Sequence, residues 1–213
     1  MTYYNTIING DDADINSVLI WSSDHSLRNV LFTLRYENMV NWSAIGSMLV
    51  ANLGGWAGAL TMAGQVKRPD GKAWYQLIKK PTWNPPNWVF GPAWTLLYCG
   101  MGTAAYLVYT KAGGITEESF IPLALYGGQL ILNWTWTPVF FRLHKIRLAL
   151  YHILALDVAA TACSISFYFV SQPAGYLMLP YLGWLSFATC LNYSISQLND
   201  ETSRKDDKKL TES

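Results

Sequence analysis

Five long stretches almost free of charge constrain the fold more than any other feature of this sequence. They run from about Ser43 to Val66, Asn87 to Tyr109, Phe120 to Phe141, Leu148 to Val170 and Ala174 to Leu198. An apolar bilayer core takes about 20 residues of α-helix to cross, and each stretch is long enough. We therefore predict an all-α membrane protein, a bundle of five transmembrane helices.

A soluble helical bundle is the alternative, and it would need a polar face along each helix. None of the five stretches shows one. Charged residues make up only 14% of the chain, against about 25% in typical soluble proteins. They gather at the two ends and in the loops. The predicted domains are a polar, disordered extension over 1–42, the transmembrane domain over 43–198 and a charged, disordered tail over 199–213.

The basic residues predict the topology. Twelve of the 15 Lys and Arg residues lie on one side of a five-span arrangement. They are Lys67, Arg68, Lys72, Lys79 and Lys80 in loop 1 (about Lys67 to Pro86), Arg142, Lys145 and Arg147 in loop 3 (between the third and fourth stretches), and Arg204, Lys205, Lys208 and Lys209 in the tail. Because basic loops stay cytosolic, loop 1 and the C-terminus are predicted to face the cytosol.

Several functional classes receive no support from composition. A net charge of +1 gives no field that attracts nucleic acid, so no nucleic-acid partner is expected. Cys99, Cys163 and Cys190 are far apart and fit neither a metal site nor a disulfide framework. We expect no metal ion and no catalytic group of His, Cys or carboxylate residues.

Polar residues within the predicted spans are expected to face the interior, because hydrocarbon leaves an amide unpaired. Gln129 and Asn133 are four residues apart and share one helix face. Asn192 follows the same argument.

Two ionisable residues lie in the fourth span. His152 and Asp157 are five residues apart, so they do not share a face. His152 is close enough to the interface to reach water, whereas Asp157 needs a partner, for which the hydroxyls of Thr161 and Ser164 are candidates. Asp157 is either a neutralised structural residue or part of a proton relay.

Small residues recur every four positions in the first span: Gly54 and Gly58, then Gly55, Ala59 and Ala63. Such spacing lets helices approach closely. It fits the core of one subunit or the face of a homodimer.

Three blocks of sequence carry a family resemblance. They are WYQLIKKPTWNPPNWVFGPAWTLLYCGMGTAAYLVYTKAGG (74–114), LYGGQLILNWTWTPVFF (125–141) and PYLGWLSFATCLNY (180–193). In composition and order they resemble the translocator protein family, also called TspO or the peripheral benzodiazepine receptor family. The likeness covers about Met48 to Asn199.

The resemblance implies a five-helix bundle with a ligand pocket opening toward loop 1. It implies hydrophobic ligands: porphyrins such as protoporphyrin IX and haem, cholesterol or other sterols, and benzodiazepine-type drugs. It also implies the outer mitochondrial membrane as the location, a part in tetrapyrrole handling and sterol transport, and no obligatory cofactor.

The family's pocket residues are matched here by Trp94, Asn133, Trp136, Trp184, Ala188 and Leu191. By resemblance, Trp94 and Trp184 are the aromatic pair that bacterial relatives use for porphyrin binding and photochemical breakdown. Packing of the bundle is the alternative role for both.

Two departures from the family pattern weaken parts of this expectation. Leu148 and His152 replace a pocket tryptophan and an aspartate of animal relatives, which puts drug affinity in doubt. The C-terminal sterol motif retains Leu191 and Tyr193, but Gln197 replaces its basic residue.

Three functions are therefore open. A receptor or transporter for hydrophobic ligands explains the tryptophans and buried amides. A light-dependent porphyrin-degrading enzyme would act through Trp94 and Trp184. A channel or proton-coupled carrier would need several polar residues along one pore, for which Asp157 and a few amides are available.

Overall fold

The computed structural model describes residues 42–63 and 74–211, and every regular element in these ranges is a helix. The helices are α1 (Trp42–Ala63), α2 (Trp74–Leu77), α3 (Asn87–Lys111), α4 (Glu117–Thr137), α5 (Ile146–Val170) and α6 (Gln172–Thr211). All but α2 coincide with the five predicted stretches, which confirms the all-α class. The predicted extension lies outside the described residues except for Trp42.

Two helices of the described ranges are long and apolar enough to cross a membrane by composition. They are α5 and the Gln172–Asp200 part of α6. In α3 and α4, which have 25 and 21 residues, tryptophan, tyrosine, glycine and amide side chains lower the mean hydropathy. Aromatic rings with a polar atom nevertheless suit a membrane interface or a bundle interior.

The last two helices form a tight antiparallel pair. Only Ser171 separates α5 from α6, and its N–H donates to the Phe167 carbonyl at 2.7 Å. At its other end, α6 continues to Thr211, and the disordered tail stays a prediction.

A turn of π-helix, Pro138–Arg142, extends α4. Proline has no N–H to donate to the carbonyl four residues earlier, so the regular ladder cannot continue through Pro138. The Leu143 N–H instead donates to the Pro138 carbonyl, five residues back, at 3.0 Å. His144 follows with a φ of 56°, and the chain then enters α5.

Helix α1 contacts its neighbours through small residues. The Ser47 hydroxyl donates to the Gly102 carbonyl at 2.9 Å, and a methyl group added at Gly102 would lie 2.6 Å from Met48 Cα. A methyl group at Gly55 would lie 2.5 Å from the Tyr98 ring, and one at Gly54 would overlap the Trp134 ring. These glycines therefore pack within one subunit, and the homodimer stays a prediction.

A few amide side chains lie within an otherwise largely apolar interior. Gln129 is fully buried and Asn133 and Asn192 nearly so, which confirms the predicted inward amides. The outer surface carries large apolar side chains, such as Trp88, Val158 and Phe169, that are more than 70% exposed. Water-soluble proteins seldom expose so much apolar area, whereas lipid tails solvate it.

Candidate functional site

A buried polar network joins three helices in the middle of the bundle. The Tyr98 hydroxyl (α3) donates to Asn133 Oδ1 (α4) at 2.5 Å, and Asn133 Nδ2 donates to the Tyr181 hydroxyl (α6) at 3.0 Å. Tyr181 in turn donates to Gln129 Oε1 at 2.8 Å. Gln129 Nε2 completes the chain with a contact of 3.7 Å to the sulfur of Met101. The network holds the three helices in register, because a buried polar group left unpaired is costly.

Two tryptophans flank this network on the side of loop 1. The rings of Trp94 (α3) and Trp184 (α6) have centroids 6.4 Å apart and are nearly perpendicular, at 83°. Trp94 also contacts Tyr98 at 5.5 Å and Tyr181 at 6.3 Å. The helical period explains the grouping, since Tyr98 follows Trp94 by four residues and Tyr181 precedes Trp184 by three.

A second aromatic cluster lies at the loop-1 ends of the helices. Trp136 stacks on Phe140 with centroids 5.0 Å apart and an interplanar angle of 19°. The Trp136 indole N–H donates to the Ala149 carbonyl at 3.1 Å, which fixes the ring. Leu191 is buried in the same cluster, and Trp136 packs against both this cluster and the central one.

Loop-1 residues cover this end of the bundle. The Trp74 ring stacks on His144 at 4.3 Å, and Tyr75 packs edge-on against Phe141 at 5.3 Å. The Asn199 side chain, on α6, holds the Lys79 backbone with two hydrogen bonds. Its Nδ2 donates to the Lys79 carbonyl at 3.0 Å, and its Oδ1 accepts from the Lys79 N–H at 3.2 Å.

A lysine and a tyrosine stabilise the loop from within. Lys80 Nζ donates to the Tyr75 carbonyl at 2.5 Å and lies 4.4 Å from the centre of the Tyr75 ring. Burial raises the pKa of the Tyr75 phenol, and the hydrogen bond to Asn84 acts in the opposite direction. Burial lowers the pKa of the Lys80 ammonium. At neutral pH the tyrosine is uncharged and the ring can accept the lysine's cation–π contact.

The two ionisable residues of α5 bind different neighbours. His152 Nε2 lies 2.8 Å from the Leu132 carbonyl of α4. Asp157 Oδ2 accepts from the Thr189 hydroxyl of α6 at 2.6 Å. Both predicted partners of Asp157 were wrong, because Thr161 donates to the Asp157 backbone carbonyl and Ser164 donates to the Gly175 carbonyl. Helical threonines commonly bond the carbonyl four residues back.

Of the predicted ligand residues, Trp94, Asn133 and Trp184 lie around the central network, and Ala188 packs against it. Trp136 and Leu191 lie in the cluster nearer loop 1. The two residues of the sterol motif are not brought together. Leu191 is buried and Tyr193 is 54% exposed, since two residues correspond to about 200° around a helix.

Tyr98, Tyr181 and Phe140 were missed as site residues. Their signal was present in the sequence, because the two tyrosines are one turn from the predicted tryptophans. Leu148, at a position where the family resemblance implies a tryptophan, is 46% exposed on the outer surface.

Two further features border the site. An apolar groove of about 430 Å³ opens outward between α3 and α6, and its walls include Leu97, Pro180 and Trp184.

Some buried polar atoms have no hydrogen-bond partner among the described residues, notably the Trp184 indole nitrogen and both amide atoms of Asn192. In the same ranges, no three His, Cys, Asp or Glu side chains are placed to hold a metal ion.

Comparison with known proteins agrees with the family resemblance of the three sequence blocks. The sequence model of the TspO/MBR family matches residues 47–198. The translocator protein of Bos taurus is 40% identical over 169 residues, which is 79% of this chain and 96% of that protein. The translocator protein of Homo sapiens is 43% identical over 152 residues, 71% of this chain and 87% of that protein. A tryptophan-rich sensory protein of Cereibacter sphaeroides is 37% identical over 160 residues, 75% of this chain and 94% of that protein.

Proposed function

The chain belongs to the TspO/MBR family, and on that premise we propose that it is a membrane receptor or transporter holding a hydrophobic, aromatic guest inside a bundle of five transmembrane helices. The perpendicular pair of Trp94 and Trp184 beside a buried polar network carries the proposal. Aromatic walls with a few fixed polar groups are typical of small-molecule sites.

We propose a porphyrin, protoporphyrin IX or haem, as the class of guest. A flat conjugated macrocycle offers two faces to aromatic rings, and Trp94, Trp184 and Trp136 provide such rings near the loop-1 end. Sterol binding through the C-terminal motif has less support, because Leu191 and Tyr193 lie on opposite sides of α6. Apolar ligands of this kind reach the protein through the lipid bilayer, its proposed surroundings.

The proposed location is the outer mitochondrial membrane, with loop 1 and the C-terminus in the cytosol. The lopsided distribution of lysine and arginine supports this orientation. The relatives named as translocator proteins in mammals support a eukaryotic membrane receptor, whereas bacterial relatives include a sensory protein.

A second candidate function is light-dependent breakdown of a bound porphyrin. One observation favours it: two tryptophan rings are in edge contact at the place where the guest would bind. A channel or carrier has less support, because His152 and Asp157 are bonded to different helices. Product formation by the purified protein under light, and its absence in the dark, would favour the enzyme.

Titration of the purified protein with protoporphyrin IX in lipid nanodiscs tests the receptor. We expect quenching of tryptophan fluorescence with a saturable midpoint. In the variant Trp94→Leu/Trp184→Leu the midpoint should rise about tenfold, since each aromatic contact contributes about 0.5–1.5 kcal/mol. The matched control is Trp56→Leu/Trp88→Leu, which also removes two tryptophans but from the exposed surface. Equal midpoints for the two variants would contradict the proposed site.

A further inference from the structure

Asn192 is a buried side chain with an unused pair of hydrogen-bonding groups. Its exposed fraction is 2%, and neither Oδ1 nor Nδ2 has a hydrogen-bond partner in the described part of the chain. Nearly all buried polar groups in native proteins are paired with protein, water or ligand. The three other amides near the site, Gln129, Asn133 and Asn199, all make hydrogen bonds.

The position of Asn192 on α6 directs its side chain toward the centre of the bundle. It follows Tyr181 by eleven residues, which is about three full turns plus 20°. The two side chains therefore leave the helix in nearly the same direction, and the Tyr181 hydroxyl lies in the central network. Along the helix axis Asn192 is about 16 Å closer to loop 1.

The residues between these two positions include a small side chain and a second unpaired donor. Ala188, one turn before Asn192, packs against the central cluster. Trp184, two turns before Asn192, has a buried indole N–H that also lacks a partner in the described ranges. Unpaired polar atoms thus occur twice on the stretch of α6 that carries three predicted ligand residues.

We propose that Asn192 binds a carboxamide or protonated carboxyl group of the guest through two hydrogen bonds, an inference that rests on the proposed function. A side-chain amide presents one donor and one acceptor side by side. The complementary group presents an acceptor and a donor in the same arrangement, which is the pattern of a carboxylic acid or a carboxamide. An isolated carboxylate is disfavoured in so apolar an interior, and its neutral form supplies the required O–H donor. Asn192 is accordingly a specificity-determining residue for the guest's polar group.

The test compares two guests, of which only one has this donor. Protoporphyrin IX carries two carboxylic acids, and its dimethyl ester keeps the carbonyl acceptors but has no O–H. Both are titrated against the wild-type protein and Asn192→Leu in nanodiscs, with tryptophan quenching as the readout. The control variant is Gln197→Leu, which removes an exposed amide from the same helix. Because the ester partitions differently into lipid, the quantity to compare is the ratio of the two dissociation constants in each variant.

In the wild-type protein and Gln197→Leu we expect the acid to bind about tenfold more tightly than the ester, which is the size of effect that a lost buried hydrogen bond produces. In Asn192→Leu the preference should fall to about one. A ratio unchanged by Asn192→Leu would overturn the proposal, and so would equal weakening of both guests, which indicates a structural role. Failure of the wild-type protein to bind either guest would overturn the proposed function itself.

Discussion

Two glycines in α1 show how single residues determine the packing of this bundle. Gly54 and Gly55 face the rings of Trp134 and Tyr98, which occupy the space that side chains would take. Tyr98 is itself fixed by its hydrogen bond to Asn133. A larger residue at either glycine would therefore displace a ring next to the candidate site, and the ring cannot move without breaking buried contacts.

Substitution of Gly54 by alanine is expected to destabilise the protein by about 1–3 kcal/mol, the usual cost of overpacking a core. The measurement is the thermal unfolding temperature in detergent. Gly46→Ala on the same helix is the control, because no heavy atom lies within 4 Å of the added methyl group. That change should be neutral or stabilising, since alanine is the better helix former. An unfolding temperature for Gly54→Ala at or above that of Gly46→Ala would show that α1 does not pack as described.

At the scale of whole elements, the end of α6 controls the position of loop 1. The side chain of Asn199 pairs with both backbone groups of Lys79, and the Arg147 guanidinium bonds Asp200 at 2.8 Å, which ties α5 to the same part of α6. The contact between Asn199 and Lys79 holds loop 1 over the end of the bundle that contains Trp136 and Leu191. The second is largely exposed and contributes little to stability.

Asn199→Leu is expected to loosen loop 1 and to speed cleavage by trypsin after Lys79. A protease needs an extended backbone free of other hydrogen bonds, and Asn199 occupies both backbone groups at this position. Fragment masses from timed digests in nanodiscs measure the effect, which should be several-fold, and Gln197→Leu again serves as the control. Cleavage at the same rate in both variants would mean that Asn199 does not hold the loop.

The elements themselves were largely predictable, and their ends were not. Absence of charge over about 20 residues identifies a span because lipid excludes charge. The π-helical turn at Pro138 depends on which carbonyls find partners after the ladder breaks, and no local pattern predicts that. The sequence likewise indicated that Gln129 and Asn133 face inward. It did not reveal that tyrosine hydroxyls from two other helices would pair with them, because those contacts join positions up to 52 residues apart.

At the scale of the molecule, a few polar side chains lie within a largely apolar core, and large apolar side chains are exposed on the outer surface, as expected for a protein dissolved in lipid. Tryptophans likewise occur both on the outer surface and in the interior. Trp56 and Trp88 are exposed on the outer surface, whereas Trp94 and Trp184 contact one another within the bundle. A guest held in the interior must therefore affect one group of tryptophans and spare the other.

The NMR signals of the tryptophan indole N–H groups test this claim most directly. They are recorded with ¹⁵N-labelled tryptophan in protein-containing nanodiscs and assigned with single Trp→Phe variants. On addition of protoporphyrin IX, ring currents of the macrocycle should shift the signals of Trp94 and Trp184 and leave those of Trp56 and Trp88 unchanged. Shifts confined to Trp56 and Trp88 would place the porphyrin on the lipid-facing surface and contradict an interior site.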